Sequence, residues 1–128
     1  MFGEESMYGQ SVVHLDNKNR IFLPKFTYVE KDDSLLIIDK EDYLSIYKED
    51  LFEEKIKYLE DLYINSDSNR KREIDVELLK LYSSILKKVK ADNQHRISLG
   101  GIETDKEEFL CIGARNHAIL DTRCINKR

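Results

Sequence analysis

Leu15 to Pro24 reads LDNKNRIFLP, and Ala91 to Gly100, 76 positions further on, reads ADNQHRISLG. Five of the ten positions are identical: Asp16 and Asp92, Asn17 and Asn93, Arg20 and Arg96, Ile21 and Ile97, Leu23 and Leu99. Each copy has one physical plan. An Asp that opens a turn accepts backbone N–H bonds from residues two positions on. Asn19 and His95, just before each arginine, are residue types enriched among non-glycine residues with φ > 0. An apolar Ile and Leu follow, as in a short strand.

Outward from these turns, two β-rich units flank a helical middle. In the first, Ser11 to Leu15 and Ile21 to Leu23 read as strand arms around the turn Asp16 to Arg20, and Pro24 ends the second arm. After the polar KFTYVEKDD come the apolar run Leu35 to Ile38, a turn at Asp39 to Asp42 and the alternating Tyr43 to Tyr47. The second unit keeps that order: Val89 to Ala91, a turn at Asp92 to Arg96, Ile97 to Leu99, Phe109 to Ile112, a turn at Gly113 to His117, and Ala118 to Leu120. Its late strands align at an offset of 74 rather than 76, so its middle is two residues shorter, as loops tolerate.

Between the units, Phe52, Ile56, Leu59 and Tyr63 recur at helical spacing, and Leu78, Tyr82, Ile85 and Val89 repeat that spacing. Two apolar stripes separated by Asn65 to Asn69 predict an antiparallel helical hairpin over 49–88, with Asp50 and Glu53 as a capping box at its start. The expected organisation is a single domain of two repeats, about 7–48 and 89–123, around that hairpin. Apolar surface left over on the stripes could serve contacts between copies.

The chain has 128 residues, 41% hydrophobic and 36% charged, with 21 basic and 25 acidic side chains and a formal net charge of −4. That balance argues against a generic nucleic-acid binder, whose affinity comes mainly from neutralising phosphates, yet it allows a local basic face. No apolar run approaches the roughly 20 residues that cross a bilayer. The first ten residues lack the basic and apolar regions of a secretion signal, which points to the cytoplasm. Cys111 and Cys124 have neither metal nor redox spacing and read as free thiols, the first in the core and the second in the polar tail. His14, His95 and His117 form no metal-ligand spacing, and no nucleophile elbow or P-loop is present. His14 reads as a strand-surface residue and His117 as a solvated turn residue. These features predict no enzyme, no metal and no cofactor.

For the repeated turns, Asp16 and Asp92 read as turn formers paired with the arginines. Arg20 and Arg96 fit two descriptions equally: surface ion pairs, or planar forks displayed at strand ends for phosphate oxygens or a guanine edge. Lys18 suits solvent and phosphate alike. Asn17, Asn19, Gln94 and His95 sit on the same two turns.

DNKNRIFLP resembles the D-x-K-G-R-x-x-x-P signature of the MraZ proteins, and DNQHRISLG resembles their second copy, D-x-x-G-R-I-x-I-P. LLIIDKEDYLSIY and FLCIG are similar to the late strands of the two MraZ repeats, and the likeness runs from about residue 7 to 121. The sequence departs from the pattern where Asn19 and His95 replace the motif glycines, where Gly100 replaces the second proline, and in having no Trp. The resemblance implies an α+β fold: a duplicated swapped-hairpin AbrB-like β-barrel, related to double-psi barrels, with a two-helix hairpin between the repeats. It implies a ring-like homo-oligomer that binds double-stranded DNA at direct repeats upstream of a cell-division and cell-wall gene cluster. Such a regulator would be cytoplasmic and nucleoid-associated, with no membrane or small-molecule partner. The DNA-contacting residues it implies are Lys18 and Arg20 foremost, with Asn17, Asn19, Gln94, His95 and Arg96. The competing expectation is the same barrel repurposed as a protein-interaction module, motivated by the acidic balance and the altered second motif.

Overall fold

The repeated turns set the first event in the fold, because each sends its two strand arms to different neighbours. In the computed structural model, which describes residues 6–102 and 107–121, β1 (Met7–His14) and β2 (Arg20–Phe22) flank the first turn. The two arms do not pair with each other, as a hairpin start would. β1 runs antiparallel to β7 (Glu108–Arg115), and β2 runs antiparallel to β6 (Arg96–Ser98). In the other half, β5 (Ile85–Lys90) leaves its turn in the same way and pairs with β3 (Ser34–Asp39).

The remaining ladders join β3 to β4 (Tyr43–Lys48), β7 to β8 (His117–Asp121) and β4 to β8. The result is a six-stranded sheet in the order β1-β7-β8-β4-β3-β5 and a separate two-stranded ribbon, β2-β6. Exchanging the two halves reverses the order of the large sheet and leaves it unchanged. The pairs Ser45–Ile119 and Ile21–Ile97 each join equivalent positions, so they mark an approximate twofold axis.

The fold is α+β, but the expected closed barrel is not what the ladders form. β1 and β5 are edges of an open sheet. The three-residue strands of the ribbon pair with each other instead, extended by Leu23 N–H to the His95 carbonyl (2.8 Å) and Leu99 N–H to the Asn19 carbonyl (2.7 Å). With Pro24 after β2, which brings no N–H, the ribbon does not extend the large sheet.

The main core fills the space between ribbon and sheet. Ile21, Leu23, Ile97 and Leu99 meet Val13, Leu35, Ile37, Ile46, Val89, Phe109, Cys111 and Leu120. β3 is buried on both faces: Leu35 and Ile37 belong to this core, while Leu36 and Ile38 face Phe52 and Ile56 of the helical layer. That is why LLII reads as an unbroken apolar run.

The helical layer holds α1 (Glu49–Ile64) and α2 (Ser68–Ser83). The helices are antiparallel: Phe52 near the start of α1 meets Tyr82 near the end of α2, while Lys71 lies over the Tyr63 ring. Phe52, Ile56 and Leu59 are buried as their spacing predicts. The capping box is absent, since α1 begins at Glu49 with no side-chain cap from Lys48; at α2, Asp67 accepts from the Arg70 N–H at 2.8 Å. The second stripe also divides differently. α2 stops at Ser83, Tyr82 is largely exposed, and Ile85 and Val89 lie on β5. A spacing of four residues fits one face of a strand as well as one face of a helix. No described helix is long and apolar enough to cross a membrane.

Two core groups carry testable consequences. The Ser45 hydroxyl, buried at the twofold axis, has no hydrogen-bond partner among the described residues. Burying such a hydroxyl unpaired costs about 1–3 kcal/mol, so Ser45→Ala is expected to raise the denaturation midpoint; a fall in urea titrations contradicts this. Burial pushes the Cys111 thiol up to about 12. In a Cys124→Ser background (Cys124 lies outside the described residues), Cys111 is expected to resist thiol reagents until the chain unfolds.

Candidate nucleic-acid interface

Each repeated turn is built around one carboxylate. Asp16 Oδ1 accepts the Lys18 N–H (2.8 Å) and the Arg20 N–H (2.9 Å), while Oδ2 accepts Arg20 Nε at 2.9 Å. Asp92 does the same with the Gln94 N–H (2.8 Å), the Arg96 N–H (2.9 Å) and Arg96 Nε (2.8 Å). The main chain closes both turns identically: the Asp N–H donates to the Arg carbonyl, and the Asn19 or His95 N–H donates to the Asp carbonyl. Asn19 and His95 have φ of 60° and 61°, as their residue types predict. Non-glycine residues thus hold the left-handed conformation that both turns share.

Backbone N–H bonds from Arg20 and Arg96, aided by the guanidinium groups, hold the two carboxyls below the usual aspartate range. Each arginine spends only Nε on its aspartate and sits partly exposed. The terminal Nη groups have no carboxylate partner among the described residues. The ion-pair description of the arginines therefore holds at Nε, and the side chains keep 28% (Arg20) and 20% (Arg96) of their surface exposed.

The ribbon register brings the two motifs together. Arg20 lies opposite Ser98, Phe22 lies opposite Arg96, and Ile21 faces Ile97. Side chains alternate across a strand, so Arg20, Phe22, Arg96 and Ser98 share the outer face, while Ile21 and Ile97, each 1% exposed, share the inner one. The arginines are diagonal neighbours, about 7–8 Å apart on such a ladder. The Arg96 guanidinium lies over the Phe22 ring, 5.8 Å from its centroid, and Phe22 is 58% exposed.

The other sequence-derived site residues occupy the ends of this ribbon. Asn17, Lys18, Asn19 and Gln94 are on the two turns, all exposed. His95 is anchored, its Nδ1 donating to the Val29 carbonyl at 2.9 Å, which leaves Nε2 as its outward atom. Sequence reasoning missed two members of this surface. Phe22 is one; its position two residues after Arg20, on the same face of β2, was the available signal. Lys87 is the other. Its ammonium bonds the Gly100 carbonyl (2.7 Å) and Ser98 Oγ (3.2 Å), beside the residue that faces Arg20.

The histidines other than His95 lie apart from this surface. His14 pairs with Glu108 at 3.2 Å on the exposed side of β1. His117 is not a solvated turn residue: it lies on β8, stacks on Tyr47 at 4.5 Å, and burial lowers its pKa. Among the described residues, no group of three or more His, Cys, Asp or Glu could hold a metal. Comparison with known proteins adds no identity, since neither a protein-family model nor a curated protein matches the sequence.

The depressed aspartate pKa values fix a pH dependence. A carboxyl whose pKa falls on folding adds stability above its unfolded value, about 3.9, and loses it as the pH drops through the folded value. An Asp16→Asn, Asp92→Asn double variant is therefore expected to melt below the parent at pH 7. The gap should close as the pH falls below the aspartates' lowered folded pKa, and a gap that persists in strong acid overturns the carboxylate account.

Proposed function

We propose that this chain is a sequence-specific DNA-binding transcriptional regulator of MraZ type, built on an AbrB-like exchange of strands between two repeats. One observation carries the reading: the arginines of both motifs stand on the outer face of one two-stranded ribbon, each oriented by a carboxylate behind it. A ribbon of this width fits the B-DNA major groove, and an oriented guanidinium fork pairs with guanine O6 and N7. Lys18, at the end of the ribbon, serves a flanking phosphate, and Asn17, Asn19 and Gln94 line the approach. Such a protein needs no catalysis, cofactor or small-molecule substrate. Several copies acting together on repeated sites would convert weak single contacts into useful affinity, in keeping with a ring-like assembly at direct repeats in a nucleoid setting.

A second reading, an interaction module that does not bind DNA, is favoured by a groove of about 560 Å³ between α1 and the end of α2. Its floor is Leu36, Phe52, Ile56 and Ile85, and its rim carries Glu53, Glu60 and Asp61 besides Lys57 and the Lys88-paired Glu49, a net acidic rim that suits a basic amphipathic partner. Recovery of a stable protein partner, with no shift of promoter DNA, would favour this reading.

The deciding measurement is a gel shift with DNA from upstream of the protein's own gene. Arg20→Ala is expected to abolish the specific complex, since one bidentate guanine contact is worth about 1–3 kcal/mol in each copy. Its melting temperature and solution mass should match the parent. Parent binding should weaken steeply between low and physiological salt. Full affinity in Arg20→Ala, or a flat salt response, overturns the assignment.

A further inference from the structure

The approximate twofold makes β1 and β5 equivalent edge strands, and they are finished very differently. Leu15, next in register after β1, gives its N–H to the Glu107 carbonyl. In an antiparallel pair such bonding alternates, so Tyr8, Gln10, Val12 and His14 turn their N–H and C=O groups away from β7. Four alternate residues thus present main-chain hydrogen-bonding groups at the sheet edge. Proteins usually blunt such an edge with charge, lysine above all. β5 follows that rule, with Lys88 and Lys90 at its outward positions. The equivalent positions on β1 are Val12 and His14, and no charged residue occurs from Met7 to Val13.

The exposed side chains on this edge also fit themselves. Tyr8 is 66% exposed and Val12 45%, both on the face opposite buried Met7 and Val13. When β1 is laid antiparallel on a second β1 with Gln10 at the centre, Tyr8 meets Val12′ and Val12 meets Tyr8′. Aromatic and β-branched residues are favourable cross-strand partners. Gln10 meets Gln10′, and His14 meets Ser6′, so like charges never face each other. The same operation on β5, centred on Lys88, would set Lys88 against Lys88′.

We propose that the edge of β1 is a self-association site, at which a second copy of this chain adds its own β1 antiparallel across a twofold axis centred on Gln10. The contact is isologous, so by itself it joins two copies and merges their six-stranded sheets into one, and a ring-like assembly takes a second, different interface. It is independent of the DNA-binding reading, because β1 carries none of the ribbon residues.

Placement of Gln10 at the axis gives the test. Paired residues that exchange hydrogen bonds have Cα atoms about 5.5 Å apart, within disulfide range. In the full chain with Cys124→Ser, Gln10→Cys is expected to form a disulfide-linked pair at twice the 15.1 kDa chain mass on a non-reducing gel. Ser11→Cys, one residue off the axis and on the other face, lies opposite Cys111 in the β1–β7 ladder, so it is made with Cys111→Ala as well and should stay single. Adding Val12→Lys to Gln10→Cys should abolish the cross-link while circular dichroism and melting temperature hold. Failure of Gln10→Cys to cross-link overturns the proposal. Equal cross-linking in the Ser11→Cys or Val12→Lys chains does so too, because it would reflect random collision or a different interface. Loss of DNA binding in Arg20→Ala with an intact Gln10→Cys cross-link would separate the two surfaces.

Discussion

The carboxylate of Asp16, with its copy Asp92, is the point on which both fold and surface depend. It sits where the chain leaves the six-stranded sheet and starts the ribbon, and it satisfies two main-chain N–H groups that the change of direction would leave unpaired. The same carboxylate holds the stem of the arginine. Remove the aspartate and the path of the chain, the left-handed residue before the arginine and the aim of the guanidinium all lose their common support. One side chain thus links a local turn, the exchange of strands between halves and the chemistry on the outer face.

That exchange explains what the two copies retain and what they vary. Every strand has a ladder partner in the other half, and β3, β4, β7 and β8 each have a second within their own. Neither half could satisfy its backbone alone, so positions that make the turn and the shared core stay matched: Asp16 with Asp92, Ile21 with Ile97, Leu23 with Leu99. The outer face is under no such constraint. Phe22 is matched by Ser98, and Lys87 by Ser11. Arg96 rests on an aromatic ring, whereas Arg20 faces a serine held by a lysine. The two arginines are equivalent in backbone and distinct in environment.

What the sequence discloses follows from the range of each interaction. The Asp-turn-Arg geometry, the positive φ at Asn19 and His95, and the buried stripe of α1 all depend on neighbours within a turn or two, and all are legible from residue types and spacing alone. Strand partners are not. Nothing local to β1 says that it lies on β7, so the arms around Asp16 look like a hairpin although they separate. Ile85 and Val89 mislead for another reason, since four residues is a repeat of both a strand and a helix. Phe22 and Lys87 were missed at the site because their place beside the arginines depends on the register between the halves.

Charge is the remaining tension, because a protein at −4 is a poor partner for a polyanion if its charge is spread evenly. It is not spread evenly. Residues 49–83 hold ten acidic and six basic side chains, so the helical hairpin accounts for the whole formal charge and the rest of the chain is balanced. Within the β-structure, Asp16 and Asp92 are each neutralised by their own arginine, while Lys18 and Lys87 stand at the ribbon with no carboxylate beside them among the described residues. The acidic helices lie on the opposite side of β3 from the core that supports the ribbon. Screening in physiological salt acts over about 8 Å. The helices' charge is therefore felt weakly at the ribbon.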